Sequence, residues 1–194
     1  MRSRNNTTRR AGRLRIVAGK WRNRRLEIAD VAGLRPTSER IRETLFNWLT
    51  PDLPGSRCLD LFAGTGALGL EALSRDAGSA DFVEASRAAV RTLTSNIRLL
   101  GSANAKVHAV DARDFVENYR GEPFDIVFLD PPFAAAADDE LCRLVSASSL
   151  LARKAQVYLE QPRERELAEL PSGWTVKKSK TAGGVRYSLF SVSR

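Results

Sequence analysis

The chain has 194 residues, 43% hydrophobic and 28% charged, with a net charge of +8, which is enough apolar material for one well-filled domain and short for two. Its apolar runs fall well short of the roughly 20 residues of a membrane span, and its N-terminus lacks the apolar core of a signal peptide. Two cysteines, Cys58 and Cys142, match neither a disulfide framework nor a metal-ligand spacing, so the expectation is a reduced, cytoplasmic protein with no membrane segment and no metal.

The charge is uneven from the start of the chain. Residues 1–25, "MRSRNNTTRRAGRLRIVAGKWRNRR", carry ten Lys or Arg and no acid, while the remainder carries 21 bases against 23 acids. Such an arm is either a solvated tail or a nucleic-acid contact in which each arginine neutralises a phosphate and releases counterions. The interleaved Leu14, Ile16, Val17 and Trp21 favour the contact, with Arg10, Arg13 and Arg22 among its candidates. "LRIVAG" and "RRLEI" alternate as two short strands joined near Gly19-Lys20. In "GLRPTSERIRETLFNWL", Pro36 with Thr37 or Ser38 starts a helix whose apolar face is Ile41, Leu45, Trp48 and Leu49. Arg40 and Arg42 lie off that face and are either solvated or continue the basic arm toward phosphate. "TPDLPGS" then breaks the chain, which divides it into a basic extension over 1–50, made of a hairpin and a helix, and a main body over 51–194.

In the body, "CLDLF", "ADFVEA", "AKVHAV", "FDIVFLD" and "AQVYLE" read as strands separated by helices, the clearest being Ser86 to Leu100. That alternation predicts a mostly parallel α/β sheet, and two alternating runs around Gly183-Gly184 finish it with an antiparallel hairpin. Ligands of such sheets bind beyond the carboxyl ends of the strands. There the first strand ends in "DLFAGTGALG", with Gly64, Gly66 and Gly69 in the spacing G-x-G-x-x-G and Glu84 closing the next strand. A nicotinamide dinucleotide fits the spacing, but Asp60 would repel its pyrophosphate, and no separate substrate domain with a proton donor follows. The single histidine, His108, lies within a strand pattern and reads as structural. S-adenosyl-L-methionine fits better. Asp60 can meet its ammonium, Glu84 both ribose hydroxyls, and Asp111 with Ala112 the adenine, while Phe62, Ala63, Gly64 and Gly66 form the loop around it. Each acid alone is weak evidence, because strand-end carboxylates also cap the helix that follows.

The fourth strand ends in Asp130-Pro131-Pro132-Phe133. The Asp130 carboxylate and the Pro131 carbonyl are acceptors that can hold an exocyclic amine, proline fixing the backbone without an N–H that would compete. Phe133 offers a flat face for an extruded base, a stack worth about 1–3 kcal/mol. The bland alternative is a rigid turn after a buried strand.

The order of these motifs resembles that of amino-directed, S-adenosylmethionine-dependent nucleic-acid methyltransferases. It is more similar still to the RsmD-type methyltransferases, which modify the N2 of one guanine in bacterial 16S ribosomal RNA. "RIVAGKWRNRRL", "LRPTSERIRETLFNWL", "CLDLFAGTGALGLEALSR" and "FLDPPF" carry the resemblance across nearly the whole chain, and only the first dozen residues have no counterpart. It implies a Rossmann-like class I methyltransferase fold with a seven-stranded sheet, and 16S rRNA in the small ribosomal subunit or its assembly intermediate as partner. It also implies Asp60, Gly64, Gly66, Glu84, Asp111 and Ala112 at the cofactor, and Asp130 to Phe133 at the target. Arg35, Thr37, Arg40 and Arg42 belong to the shared N-terminal motif, and charge assigns them to RNA. No oligomer is implied, and a monomer is expected. Two rival classes remain at this stage, a DNA adenine N6 methyltransferase using the same tetrapeptide and a non-catalytic RNA-binding protein of the same fold.

Overall fold

Period-two runs in the basic extension form a small antiparallel pair, β1 (Arg13–Arg15) and β2 (Arg25–Glu27), with Leu14 opposite Leu26. The computed structural model describes residues 12–132, 138–165 and 169–193, so Arg10 and Phe133 lie outside the described residues. Helix α1 (Glu39–Leu49) begins at Ser38, whose hydroxyl accepts from the Ile41 N–H. Then follow β3 (Arg57–Asp60), α2 (Ala67–Ser74), β4 (Ser79–Val83), α3 (Arg87–Leu100), β5 (Ala105–His108), α4 (Ala112–Asn118), β6 (Phe124–Leu129), α5 (Asp138–Ala147), β7 (Leu151–Pro162), β8 (Trp174–Ala182) and β9 (Val185–Val192).

The main sheet has seven strands in the order β5-β4-β3-β6-β7-β9-β8. Strands β3 to β7 are parallel to one another, and β9 runs antiparallel between β7 and β8. The chain winds outward from β3 through β4 to β5, then returns to the other side of β3 as β6. The crevice therefore opens between the carboxyl ends of β3 and β6.

Side-chain alternation gives the sheet two buried faces. One packs Cys58, Phe82 and Phe128 against α1, α2 and α3, and takes in Leu14, Ile16, Trp21 and Leu26 from the extension. The other packs Leu59, Val127 and Leu159 against Phe115 and Val116 of α4 and Cys142 and Val145 of α5. Helix α2 lies so close to β4 that a Cβ on Gly69 would come within 2.3 Å of the Phe82 ring. The third glycine of the loop thus serves helix-strand packing.

Candidate active site

Gly66 is the N-cap of α2 with φ +76°, a left-handed conformation that side chains resist, so the turn out of β3 requires glycine there. The acids at the ends of β3 and β4 hold this turn. Asp60, 2% exposed, accepts from the Gly69 N–H at 3.0 Å, inside the first turn of α2. Glu84 accepts from the Gly64 N–H at 2.8 Å and the Ser86 N–H at 2.7 Å. Asp111 is exposed and caps α4 through the Arg113 N–H at 2.8 Å. Asp60 and Asp111 therefore do ordinary capping work and Glu84 ties loop backbone together, and a carboxylate with four lone-pair positions keeps acceptor capacity for a ligand beyond it. Phe62 is half-buried, while Ala63 and Ala112 are buried beside the same loops.

On the next strand, Asp130 follows β6, and its Oδ2 accepts from the Thr37 hydroxyl at 3.3 Å. Thr37 comes from the loop that enters α1, so the basic extension reaches into the site. Leu34 of that loop lies against the glycine turn, where a Cβ on Gly64 would meet its Cδ1 at 2.7 Å. Burial pushes the Asp60 carboxyl up to about 7, and the neighbouring Asp130 and Glu84 add to this against the Gly69 bond. Burial likewise raises Asp130 to about 6, with the Thr37 bond opposing. An acidic, partly desolvated pocket of this kind favours a ligand bearing positive charge.

Two residues expected at RNA have other work. Arg42 is 1% exposed and cannot reach phosphate: its guanidinium meets Glu71 Oε2 at 2.8 Å, the Arg15 carbonyl at 2.7 Å and the Thr37 carbonyl at 3.2 Å. Helical spacing left it off the apolar stripe, but the lone acid of α2 draws it inward. Thr37, 8% exposed, gives its hydroxyl to Asp130. Arg13, Arg22, Arg35 and Arg40 are exposed, as an RNA contact requires. His108 is structural, its Nε2 2.6 Å from Asp81 Oδ2. That pair lines a separate cleft of about 810 Å³ beside β4, β5 and α4, away from the glycine turn.

Glu160, near the carboxyl end of β7 and 4% exposed, joins the site without having been expected there. Its signal was visible: "AQVYLE" ends in an acid just as the strands ending at Asp60, Glu84 and Asp130 do. Glu71, a single acid in a helix whose eight residues are all buried, is a second such residue.

The family model described as "Conserved hypothetical protein 95" matches residues 14–191. The chain belongs to this family. Ribosomal RNA small subunit methyltransferase D of Escherichia coli strain K12 is 44% identical over 180 residues, covering 93% of this chain and 90% of the relative. The Haemophilus influenzae protein of the same name is 41% identical over 182 residues, covering 92% and 94%. Among solved structures, yhhF from Escherichia coli matches with a TM-score of 0.84 at 42% identity, covering 94% of this chain and 99% of that one. SMU.776 complexed with SAH, at 15% identity and a TM-score of 0.69, shares the fold over 89% of this chain and 52% of its own. Family membership bears out the resemblance to RsmD-type methyltransferases and the class I methyltransferase fold.

Proposed function

We propose that the protein methylates the exocyclic N2 amine of one guanine in 16S rRNA, acting as a cytoplasmic monomer on the small ribosomal subunit or its assembly intermediate. An rRNA methyltransferase using S-adenosyl-L-methionine is the activity its family gives it. The target atom, the particle and the roles of individual residues are our reading. The observation that carries it is the placement of Asp130 and Asp60 at the tips of adjacent strands, with the extension's Thr37 on Asp130. In support of a soluble setting, no helix among the described residues is long and apolar enough to cross a membrane.

The residues present fit the cofactor, because an acidic pocket around a glycine turn suits an amino- and sulfonium-bearing molecule and would repel a phosphorylated one. When bound, S-adenosylmethionine supplies a methyl carbon whose bond to sulfur breaks, with its electron pair, as the bond to nitrogen forms. Gly64 and Gly66 bring backbone close to it, Asp60 and Glu84 accept from its ammonium and ribose, and Asp111 and Ala112 border the adenine. Asp130 and the Pro131 carbonyl accept the amine N–H bonds and aim the nitrogen lone pair, with Pro132 fixing the loop and Phe133 stacking on the base. Arg10, Arg13, Arg22, Arg35 and Arg40 hold the RNA backbone.

The deciding experiment is transfer of labelled methyl to 30S particles lacking the modification, with DNA and tRNA as rival acceptors. Label on N2 of a single 16S guanine is the expected result. Label on DNA adenine, or cofactor binding without transfer to any acceptor, would overturn the reading.

A further inference from the structure

Three buried or half-buried carboxyls stand in a row on one face of the sheet. Asp60 pairs with Phe128, and Phe128 pairs with Tyr158 in parallel register, so one pleat further on Asp130 and Glu160 are neighbours on β6 and β7. Alternation turns all three toward the face that carries α1 and α2, where Cys58, Phe128 and Tyr158 are buried. One hydroxyl lies beside two of them: Thr37 donates to Asp130 Oδ2 at 3.3 Å and also interacts electrostatically with the Glu160 carboxyl. From the other side the Tyr158 hydroxyl donates to Glu160 Oε1 at 2.8 Å.

A hydroxyl has one proton to give. If both carboxyls were ionised, Thr37 could serve only one, and two negative charges would face each other in a dry pocket. If Glu160 is protonated, every group is satisfied: Glu160 Oε1 accepts from Tyr158, its O–H donates to Thr37, and Thr37 donates to Asp130. The geometry points to Glu160 as a proton-holding positioning residue, which through Thr37 keeps Asp130 ionised and aimed at the target amine. This rests on the methyl-transfer reading given above. Once the N–C bond has formed, the nitrogen carries an extra proton. Asp130, kept as a carboxylate, accepts it, leaving neutral methylamino-guanine and a protonated Asp130 that must lose its proton before the next turnover.

The charged and titratable surroundings agree. Glu160 faces Asp130 and Asp60 along the sheet, Tyr158 on its own strand, and Tyr187 opposite it on β9, beyond which Lys180 is exposed on β8. The buried cation on α1, Arg42, is committed to Glu71 and two carbonyls. Burial and the Asp130 charge raise Glu160 to about 8 against the opposing Tyr158 and Thr37 bonds, and burial raises Asp130 to about 6, so the pair as a unit holds a proton toward neutrality, and the hydrogen-bond pattern places it on Glu160.

Single-turnover methylation of 30S particles as a function of pH tests this. The wild-type rate is expected to fall above about pH 8 as Glu160 ionises and competes for the Thr37 hydroxyl. Glu160→Ala should slow the step about tenfold or more with little change in the affinity for either substrate. Glu160→Gln, whose amide oxygen can accept from Tyr158 and whose N–H can donate to Thr37, should recover most of that loss and abolish the alkaline fall. Infrared difference spectra of the protein without RNA should show the C=O stretch of a protonated carboxyl at neutral pH that is absent in Glu160→Gln. An alkaline fall retained in Glu160→Gln, or no such carboxyl band in the wild type, would overturn the inference while leaving the methyltransferase reading intact. Absence of any wild-type transfer to guanine N2 would overturn that reading instead.

Discussion

Asp130 occupies the one position where the end of β6, the entrance to α1 and the neighbouring Asp60 meet. In the proposed mechanism its replacement by alanine removes an acceptor for the amine, and among the described residues Asp130 makes no bond to the glycine turn. The single-turnover rate of Asp130→Ala should therefore fall about 100-fold or more, while calorimetry finds cofactor affinity little altered. Near-normal turnover would make this acid a structural one. Asp60→Ala and Glu84→Ala act on the other partner. Each removes a charge-assisted acceptor, so cofactor affinity should drop by roughly 1.5–3 kcal/mol in a binding titration. Because Asp60 also holds the Gly69 N–H, and Glu84 those of Gly64 and Ser86, some loss of thermal stability should accompany the loss of affinity. At this scale the sequence yields residue types and chain positions, and so Asp60, Glu84, Asp111 and Asp130 could be placed at strand tips. It does not yield partners across the fold. That Thr37 serves Asp130, 93 residues away, follows only from the packing of the extension.

The extension is fastened to α2 through Glu71. Its two oxygens accept from the Val17 and Ala18 N–H groups, both at 2.9 Å, and from Arg42 and Arg75, both at 2.8 Å. Nearby, a Cβ on Gly19 would fall 1.7 Å from the Ser74 carbonyl oxygen, so the hairpin loop lies directly on α2. Glu71→Ala leaves Arg42 buried with its charge unpaired, and should cost about 3–5 kcal/mol in denaturant unfolding. A loss below about 1 kcal/mol would mean that the network is replaceable by packing. Outward from this fastening, the exposed Arg22 and Arg24 extend the charge of the N-terminal arm. Deleting residues 1–12 should weaken RNA binding and flatten its dependence on salt, with cofactor affinity unaltered, as filter binding across a salt series would show. The hairpin, α1 and α3 were legible because period-two and helical patterns report one neighbouring surface at a time. Arg42 was not, because an arginine beside an apolar stripe looks the same in sequence whether it meets water or a buried acid.

Across the molecule, the raised carboxyls reverse the usual dependence of stability on pH. Asp60, Asp130 and Glu160 bind protons more tightly folded, at about 7, 6 and 8, than at the ordinary values of 3.8 and 4.5. The stability they contribute is complete below those ordinary values and is lost as pH rises through the folded ones. The melting temperature should therefore decline between about pH 5 and pH 8.5, and Glu160→Gln should flatten that decline. A melting temperature that rises over this interval would contradict the burial of the three acids. The parallel sheet and its closing hairpin were legible from strand-helix alternation, whereas strand order depends on crossover packing that no local pattern encodes. The two core faces also divide the cysteines. Cys58 is buried on the side of α1 and α2, Cys142 on the side of α4 and α5, and burial pushes both thiols up to about 12. Neither can react with an alkylating reagent until its own layer opens. The chain thus contains two built-in labels, and timed alkylation followed by peptide mapping would clock the opening of the extension's side of the sheet separately from that of its opposite side.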